Sequence, residues 1–410
     1  MRKFYIILVF ISLSVSVTAN TINVGGKSPV KSIKKAISLA LSGDTILVAP
    51  GYYKEGNIII YKKVLLKGLN YPVLDGEKKF EIISIKANDV VVEGFKLIRA
   101  GASDIEDYAG IKVYHCSGAV IQKNILDDTH FGIYIQYGKK CVVRNNKFYA
   151  YNIEEQQSGN GIHCWKSDSL IISDNEVTGH RDGIYFEFVT NSEIYRNKTT
   201  KNIRYGLHFM FSNNDIYVAN TFLDNGAGVA VMYSHGVTMV NNHFLENWGD
   251  AAYGLLLKEI SDSHIKGNIF EKNTTGIFME GVSRIQVNNN SFLNNGWGMK
   301  IQASCMDINV TRNNFIGNTF DVGTNGSLVL NKFNYNYWDK YEGYDINKNK
   351  IGDIPYRPIS MYSMIIEKYP AAMMLFRSFI TSLMDKTEKI IPSITPENLK
   401  DDYPLMRKAF

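Results

Sequence analysis

Proline and cysteine are scarce in this sequence, with 9 Pro and 4 Cys among 410 residues. Few prolines, together with 33 Gly and frequent Asn pairs, favour many short strands joined by tight turns. The cysteine positions do not establish whether any of them pair. Three of them fall in neighbouring repeats and could form one disulfide, but we expect most of the four to be small buried residues: Cys116, Cys141, Cys164 and Cys305.

The sequence also lacks a large excess of charge of either sign. Lys and Arg number 45 and Asp and Glu number 40, which gives a net charge of +5. Arg2 and Lys3 belong to a predicted signal peptide, so the exported chain carries about +3. No basic block stands out, and this distribution argues against a nucleic-acid partner.

Long apolar runs are absent beyond the N-terminus. The chain opens with Met1-Arg-Lys, continues with apolar residues from Tyr5 to Val17, and reaches small residues at Val17-Thr18-Ala19. This apolar run is shorter than the roughly 20 residues that a membrane span needs. It predicts a cleaved signal peptide over residues 1–19 and an exported protein, with an uncleaved anchor as the alternative.

An internal repeat of about 22 residues dominates the rest of the chain. The chain of 410 residues is longer than a domain with a single hydrophobic core usually is, which also favours a repeat array or several domains. Each repeat has a Gly followed by an alternating apolar strand, and in most repeats an Asn follows 14 residues after the Gly. The repeats begin at Gly110, Gly132, Gly161, Gly183, Gly206, Gly228, Gly254, Gly276 and Gly298. A unit of this size buries its apolar face only by stacking on its neighbours. The repeat therefore predicts an all-β solenoid, a right-handed parallel β-helix, in which the Asn amides bond from coil to coil.

The two ends of the chain differ from the repeats. Ser32 to Leu41 has a helical apolar period and predicts a short helix that caps the N-terminal end. Pro370 can begin a helix, and Ala371 to Lys389 follow without Gly or Pro. We predict a β-helix over residues 20–360, with clear repeats at 110–320, and a helical tail over 361–410 that packs on the solenoid or on another protein.

Alternation along each Gly-started strand assigns its faces. Counted from the Gly, offsets 1 and 3 are apolar and should point inward, whereas offsets 2 and 4 should point outward in two ladders rich in aromatics, His and Met. Such a surface is typical of a binding face, although loops at Tyr151–Ser158 and Trp248–Ala252 or the C-terminal tail could instead cover it.

One patch of the outer face has a specific chemistry. His208 and Met210 lie on one strand, Met232 stacks one coil later, and His235 follows in the turn. Imidazole and thioether ligands suit Cu(I), so these residues are a candidate copper site. The alternative is that the methionines are adaptable apolar contacts and that His208 is an ordinary surface side chain.

Two other functional interpretations remain open from the residues alone. A polysaccharide-active enzyme needs paired carboxylates or a base with a cationic partner, which Glu187 beside His208, or Lys258 near Glu280, could provide. A purely structural, partner-binding solenoid is the third interpretation.

A weaker motif lies between Asp345 and Asp353. Oxygen ligands at alternate positions resemble the opening of a Ca²⁺ loop: Asp345, Asn347, Asn349 and Asp353. The central Gly of such a loop is replaced by Lys350, and no Glu stands at the twelfth position. We therefore interpret this stretch as a turn and consider calcium unlikely.

Several strings of the sequence resemble the NosD family of nitrous oxide reductase maturation proteins. They lie at Gly183–Phe188, Arg204–Ser212, Gly226–Ser234, Ala252–Ser263, Thr324–Asn331, Asn336–Asp339 and Pro404–Arg407. The resemblance runs from about Asn23 to the last residues, and at Asn349 and Lys350 the Ca²⁺-like stretch departs from the family's Asp-rich form.

The resemblance implies a periplasmic β-helix that is not an enzyme and that takes part in denitrification. It implies work with an ABC-type ATPase and its membrane permease, which together help to supply copper from a lipoprotein chaperone to the copper–sulfide centre of nitrous oxide reductase. The copper contact would be transient. The chain would meet the membrane only through the permease, and because it shows no nucleotide site, energy must come from the ATPase.

We expect the solenoid to be a rigid platform that binds partners through two surfaces. Trp165 and Tyr185 are the expected partner-binding residues of the outer face, and Phe376 and Phe379 those of the tail that docks on the permease. Copper would cross the His/Met patch as ATP hydrolysis changes the docking geometry.

Overall fold

The chain winds into a right-handed parallel β-helix of about 14 turns, which confirms the predicted fold. The computed structural model describes residues 19–103, 106–326, 330–390 and 399–410. The predicted signal peptide lies outside the described residues except for its last residue, Ala19.

Three parallel sheets form the faces of the β-helix in the described part of the chain. Sheet 1 contains the nine Gly-started strands of the repeat together with two strands before them and one after them: Ile58–Ile60, Ile83–Ile85, Ala109–Tyr114, Phe131–Gln136, Ile162–Trp165, Asp182–Glu187, Tyr205–Met210, Ala227–Met232, Tyr253–Lys258, Thr275–Glu280, Trp297–Ile301 and Phe320–Gly323. Sheet 2 follows in each coil: Thr21–Val24, Thr45–Val48, Leu65–Gly68, Val91–Glu93, Val120–Gln122, Val142–Arg144, Ile171–Ser173, Glu193–Tyr195, Ile216–Val218, Thr238–Val240, Ser261–Lys266, Ser283–Asn288, Met306–Thr311 and Lys332–Asn334. Sheet 3 completes the coil: Tyr52–Tyr53, Val73–Asp75, Lys96–Ile98, Ile125–Asp127, Lys147–Tyr149, Glu176–Thr178, Lys198–Thr200, Thr221–Leu223, His243–Leu245, Ile269–Glu271, Ser291–Leu293, Asn314–Ile316 and Tyr337–Trp338.

The register between coils follows the sequence repeat. In sheet 1, Leu207 pairs with Val229 and Met210 with Met232. The residues at offsets 1 and 3 form one apolar core along the axis, as alternation predicts. The repeated Gly is required because a Cβ at Gly228 would lie 2.4 Å from the carbonyl oxygen of Gly254 and 3.1 Å from the Phe244 ring. Stacked Phe rings from sheet 3 fill this space in the five repeats from Gly206 to Gly298.

Two internal Asn ladders satisfy the backbone where the chain turns. In the predicted ladder, the Oδ1 atom of Asn242 accepts from both the backbone N–H and the side-chain amide of Asn220, at 2.9 and 3.0 Å. A second ladder, which the sequence interpretation did not identify, runs through Asn202, Asn225, Asn247, Asn273, Asn295 and Asn318. Each amide thus ties two coils together in the dry core.

The N-terminal end is closed by the predicted helix, which spans Ile33–Leu39 (α1). Ser32 caps it, because its hydroxyl accepts from the N–H of Lys35 at 3.2 Å. The Glu55 carboxylate accepts from the N–H of Ile33 at 2.7 Å and adds a second cap from the next coil.

The C-terminal end is a helical excursion followed by a return to the solenoid. The excursion comprises α2 (Met361–Lys368), a 3₁₀ turn (Pro370–Leu375) and α3 (Phe379–Ile390). The one helix predicted after Pro370 is broken because Arg377 adopts a left-handed backbone with φ 62°. Residues 399–410 then pair with the last coil, where Phe333 bridges to Asp401 and Tyr337 to Leu405.

None of the helices in the described residues is long and apolar enough to cross a membrane. All four cysteines are buried free thiols, as expected of small core residues.

Candidate functional site

The outer side of sheet 1 is partly covered rather than open to solvent. The residues at offset 2 lie outside the axial core, but Lys112, Tyr134 and His208 are all at least nine-tenths buried. The Lys112 ammonium donates to the Asp107 carbonyl in a loop, and at the other end Lys300 forms an ion pair with Glu367 of α2 at 2.6 Å. The C-terminal tail thus covers one end of the stripe, as the alternative expects, and a loop at Asp107 that was not predicted covers the other end.

A compact aromatic cluster occupies the N-terminal half of this face. The His163 ring lies 4.4 Å from Tyr134 and 4.8 Å from Tyr185, measured between ring centroids. Its Nδ1 atom contacts the Asn160 amide at 3.1 Å, while its Nε2 atom is buried without a partner among the described residues. Burial lowers the pKa of His163 to about 3, so this imidazole is neutral at physiological pH.

His208 occupies the next histidine position and is held by a charged network. Its ring lies 4.8 Å from both Tyr185 and Tyr205. Its Nδ1 atom lies 3.5 Å from the fully buried Asp182 carboxylate and 3.3 Å from the Arg204 guanidinium. Arg204 also reaches the insertion loop, where it pairs with Glu155 at 2.9 Å.

This network leaves one nitrogen of His208 uncommitted. The Nε2 atom is buried and has no hydrogen-bond partner among the described residues. When Nδ1–H donates to the Asp182 carboxylate, the Nε2 lone pair is available to a metal, and a carboxylate behind an imidazole is the usual support of a histidine ligand.

The two methionines of the patch lie together beside His208. Met210 and Met232 pair in register on adjacent strands and are half-buried. The Tyr185 hydroxyl donates to the Met210 sulfur at 3.7 Å. His235 is exposed and lies beyond the next corner, where it bridges to Ser261. The structure thus groups His208 with Met210 and Met232 and places His235 at the turn that leads into sheet 2.

Trp165 and Tyr185 are both half-buried on this face. The Trp165 ring lies 4.9 Å from the Tyr137 ring, and Lys166 lies 4.7 Å above it. Burial raises the pKa of Tyr185 to about 12, so its hydroxyl remains a donor. In the excursion, Phe379 is 81% exposed, whereas Phe376 is 41% exposed and lies 6.2 Å from Phe320 of sheet 1.

The Ca²⁺-like residues form one exposed turn. Backbone N–H groups of Asn349 and Lys350 donate to the two oxygens of Asp345, at 3.0 and 2.7 Å. The N–H of Ile346 donates to Asp353 at 2.6 Å, and Asn347 accepts from the N–H of Asn349. Within the described ranges, no group of three or more His, Cys, Asp or Glu residues is arranged to hold a metal.

The carboxylates considered for an enzyme have ordinary surface surroundings. Glu187 pairs in register with Trp165 and Met210, and Lys258 forms an ion pair with Glu280 at 3.6 Å. Both members of the Lys258–Glu280 pair are well exposed.

The cysteines are poor candidates for copper ligands. Burial raises the pKa of Cys141 to about 11 and so favours the neutral thiol over the thiolate that binds metal.

Sequence reasoning missed Asp182, Tyr205, Arg204 and Glu155. Strict alternation would point the residue immediately before each repeat Gly into the interior. In the structure this residue lies on the outer side of sheet 1, beside the residue at offset 2. Tyr205 thus contacts His208, and Phe131 lies 5.6 Å from Tyr134. The signal was the large or charged residue that precedes Gly132, Gly183 and Gly206.

The family described as "Periplasmic copper-binding protein (NosD)" matches residues 148–351, and a model described as "Right handed beta helix region" matches residues 81–187. A Pseudomonas aeruginosa protein named "Probable ABC transporter binding protein NosD" is 28% identical over 88% of this chain and 87% of its own length. A Stutzerimonas stutzeri protein of the same name is 25% identical over 86% of this chain and 85% of its own.

Two solved structures are similar in fold. The Streptococcus pneumoniae surface adhesin PfbA superposes with a TM-score of 0.58 and 12% identity, over 71% of this chain and 87% of that chain. The A-module of the Azotobacter vinelandii mannuronan C-5 epimerase AlgE6 gives a TM-score of 0.54 and 15% identity, over 74% and 89%. At such low identity these similarities establish the β-helix alone.

Proposed function

Because this chain belongs to the NosD family of periplasmic copper-binding proteins, we propose that it is an accessory protein of an ABC-type transporter that helps to deliver copper for nitrous oxide reductase. The observation that carries the proposal is that the family match over residues 148–351 includes His208, Met210 and Met232, which the structure groups on one face. The two relatives align with most of this chain, and the name they share, an ABC transporter binding protein, supports a transporter partner. Copper is the cargo, and its destination is the copper–sulfide centre of the reductase.

The grouped residues fit a transient Cu(I) cargo. Two thioethers and one imidazole are soft ligands that suit Cu(I) and hold it weakly enough for transfer. The Nε2 atom of His208 has no other partner among the described residues, and Asp182 stands behind its Nδ1 atom. The Tyr185 hydroxyl lies on the Met210 sulfur, so it would move aside when the sulfur binds metal.

The helical excursion is the proposed contact with the permease. Its apolar side chains are unusually exposed for a water-soluble helix pair, with Met374 at 90%, Phe379 at 81% and Leu383 at 53%. Trp297 and Phe320 of sheet 1 pack against Tyr362 and Ile366 of α2, which fixes the excursion on the solenoid. A fixed apolar projection is suited to docking on an integral membrane partner.

The structure also determines how this docking is best tested. Deleting residues 371–410 would remove Asp401, whose backbone pairs with Tyr356 at 2.8 and 2.9 Å and closes the last coil. Because that pair holds the two ends of the excursion together, residues 361–398 can be replaced by a short Gly/Ser linker with the cap intact. We expect this variant to fold and to lose co-purification with the permease.

A matched control exchanges the exposed apolar side chains of the excursion without deleting it. Phe379→Ser with Leu383→Ser should reduce co-purification with the permease, whereas Ile153→Ser, at an apolar site on the insertion loop that is 90% exposed, should not. If the permease co-purified with the linker variant in the same yield as with the wild-type protein, the docking proposal would be refuted.

The delivery proposal is tested by the copper content of the reductase. A strain that lacks this chain should yield reductase deficient in copper, and wild-type protein should restore it. A His208→Gln/Met210→Leu/Met232→Leu variant should restore it poorly, while a His243→Ala/Met306→Leu variant, altered on the other two sheets, should restore it fully.

Fully loaded reductase in the deletion strain would instead support a purely structural solenoid. New unsaturated or reducing ends on uronate polymers, lost in Glu187→Gln, would support an enzyme.

A further inference from the structure

A ladder of aromatic side chains follows the corner between sheets 1 and 2. Phe188, Phe211 and Tyr233 stack in successive coils, with ring centroids 5.1 Å apart at both steps and interplanar angles of 8° and 16°. Their exposed fractions are 43%, 37% and 41%. In the preceding coils His115 and Tyr137 stack at the same corner, with centroids 4.4 Å apart. We call Phe188, Phe211 and Tyr233 the aromatic corner.

The fold does not need aromatic residues at this corner. All three have a left-handed backbone, with φ 52°, 51° and 53°, a conformation that residues with a large side chain adopt rarely. In the coils between residues 109 and 260, the corner between sheets 2 and 3 has the same backbone geometry but holds Lys123, Asn145, Asp174, Arg196, Ala219 and Asn241. Bulky apolar side chains on a disfavoured, exposed backbone position point to a binding role.

Charges of opposite sign flank the aromatic corner. Lys139, Lys140 and Lys166 are exposed at its N-terminal end, and none of the three forms an ion pair with a residue that the structure describes. Glu259 takes the corner position in the coil after Tyr233, is exposed, and likewise has no ion pair among the described residues. The surface is thus basic, apolar and acidic in succession along the axis.

The spacing of the rings matches the turn of an α-helix. An apolar helix stripe repeats about every 5.4 Å, and the rings repeat every 5.1 Å. The mismatch accumulates to less than about 1 Å over three coils. Four coil steps separate Lys166 from Glu259, which is about 19 Å, or about 13 residues of helix.

We propose that the aromatic corner binds an amphipathic α-helix of a partner protein. The helix places an apolar stripe on Phe188, Phe211 and Tyr233, its acidic first turn over the lysines, and its basic last turn over Glu259. Acidic first turns and basic last turns also suit the helix dipole, so this charge order is a common one for protein helices. The surface lies around the corner from the copper patch and does not depend on metal.

The test uses a fluorescent peptide of about 18 residues and the full-length mature protein. The peptide carries Glu in its first turn, Leu at i, i+4, i+7 and i+11, and Lys in its last turn. One comparison peptide exchanges the charged ends, and another distributes the leucines around the helix. All three carry a staple on the polar face so that their helicity is equal, and binding is followed by fluorescence anisotropy at low ionic strength.

We expect the matched peptide to bind at least about tenfold more tightly than either comparison peptide. Phe211→Asn should weaken its binding by about tenfold or more, and Asn is the residue that related corners of this chain use. Tyr71→Asn, at an exposed left-handed position with φ 57° outside the aromatic corner, should leave it unchanged. Lys166→Glu should abolish the preference for the acidic first turn.

Three results would overturn the proposal. They are equal affinity for the matched and distributed-leucine peptides, unchanged affinity after Phe211→Asn, and a dimer of the protein that Phe211→Asn abolishes. The last would show that the aromatic corner pairs two copies of this chain. Because no copper enters these measurements, any of the three leaves the delivery proposal standing.

Discussion

At the residue scale, Asp215 is a carboxyl group enclosed in the core of the β-helix. Its side chain is fully buried, and one oxygen accepts from the Ser192 N–H at 2.8 Å. The other oxygen has no partner among the described residues. Burial raises the pKa of Asp215 to about 8, so the folded protein holds this group protonated at neutral pH.

Asp215 therefore makes stability fall as pH rises. The folded state binds the proton more tightly than the unfolded chain, whose Asp has a pKa near 3.9. The destabilisation grows from about pH 4 and is complete above about pH 8. We expect Asp215→Asn to raise the unfolding free energy by about 2 kcal/mol at pH 9 and to change it little at pH 5. Asp224→Asn, an exposed left-handed residue, is the control in denaturant titrations. An Asp215→Asn effect that is equal at both pH values would contradict the account.

Asp182 has a positioning role in the candidate site rather than a place among the ligands. It is fully buried, and its carboxylate lies 3.5 Å from Nδ1 of His208. Losing such a partner commonly weakens a histidine site, so Asp182→Asn should reduce Cu(I) affinity about tenfold. Asp174→Asn removes an Arg-paired carboxylate elsewhere and should have no effect. A competition assay with a chromophoric chelator distinguishes the two, and identical affinities would remove Asp182 from the account.

At the scale of the repeat element, one of the two Asn ladders could be predicted from the sequence and the other was missed. In most repeats an Asn follows 14 residues after the Gly and lies near Phe or another apolar residue, so this ladder could be predicted. The second ladder follows about 19 residues after the Gly, as Asn225 does after Gly206 and Asn247 after Gly228. It begins only at Asn202, because His180 and Ser158 occupy the corresponding corner in earlier coils. Its shorter run made the period less visible.

The second ladder satisfies buried backbone groups in the same way as the first. Asn247 accepts from the N–H of Asn225 at 3.1 Å and donates to the Phe222 carbonyl at 3.1 Å. Asn247→Ala leaves both backbone groups buried without a partner, which should cost about 3 kcal/mol. Asn309→Ala, at a half-buried position on sheet 2, should cost far less. Hydrogen exchange should accelerate in the coils next to residue 247, and unchanged exchange there would be evidence against the ladder.

The outer side of the sheet 1 strands could be predicted only in part. Alternation correctly separated the core residues from those at offset 2. It could not show that the inward–outward alternation is interrupted at the Gly, so that the residue before the Gly also points outward. Nor could it show that loops and α2 cover the two ends of the stripe, since these contacts join distant parts of the chain. Glu155 and Arg204, for example, are 49 residues apart.

At the scale of the whole molecule, Asp401 closes the solenoid. It is fully buried, and its two oxygens accept from Tyr335, Asn336, Trp338 and Tyr403 at 2.9–3.1 Å. It thereby takes the next position in the first Asn ladder and stops it with a side chain that only accepts. The sequence pattern of the repeats ends before this residue, so its role could not be seen without the structure.

Loss of Asp401 should release the C-terminal residues and loosen the excursion that they anchor. Asp401→Ala leaves several buried donors unpaired and should cost about 3 kcal/mol locally. Limited proteolysis should then remove the chain after residue 360 faster than in wild type. Asp402→Ala, which loses only the exposed ion pair with Lys400, should behave as wild type. Equal cleavage of both variants would contradict the capping role.

The central claim is that the outer face of this β-helix carries copper. The most direct measurement is an anaerobic Cu(I) titration of the mature protein against a chromophoric chelator, beside the His208→Gln/Met210→Leu/Met232→Leu variant. The account predicts that the wild type binds Cu(I) and that the variant loses this binding while keeping its fold. Absence of binding, or equal binding by both proteins, would contradict the copper site and leave a scaffold that acts through its partners alone.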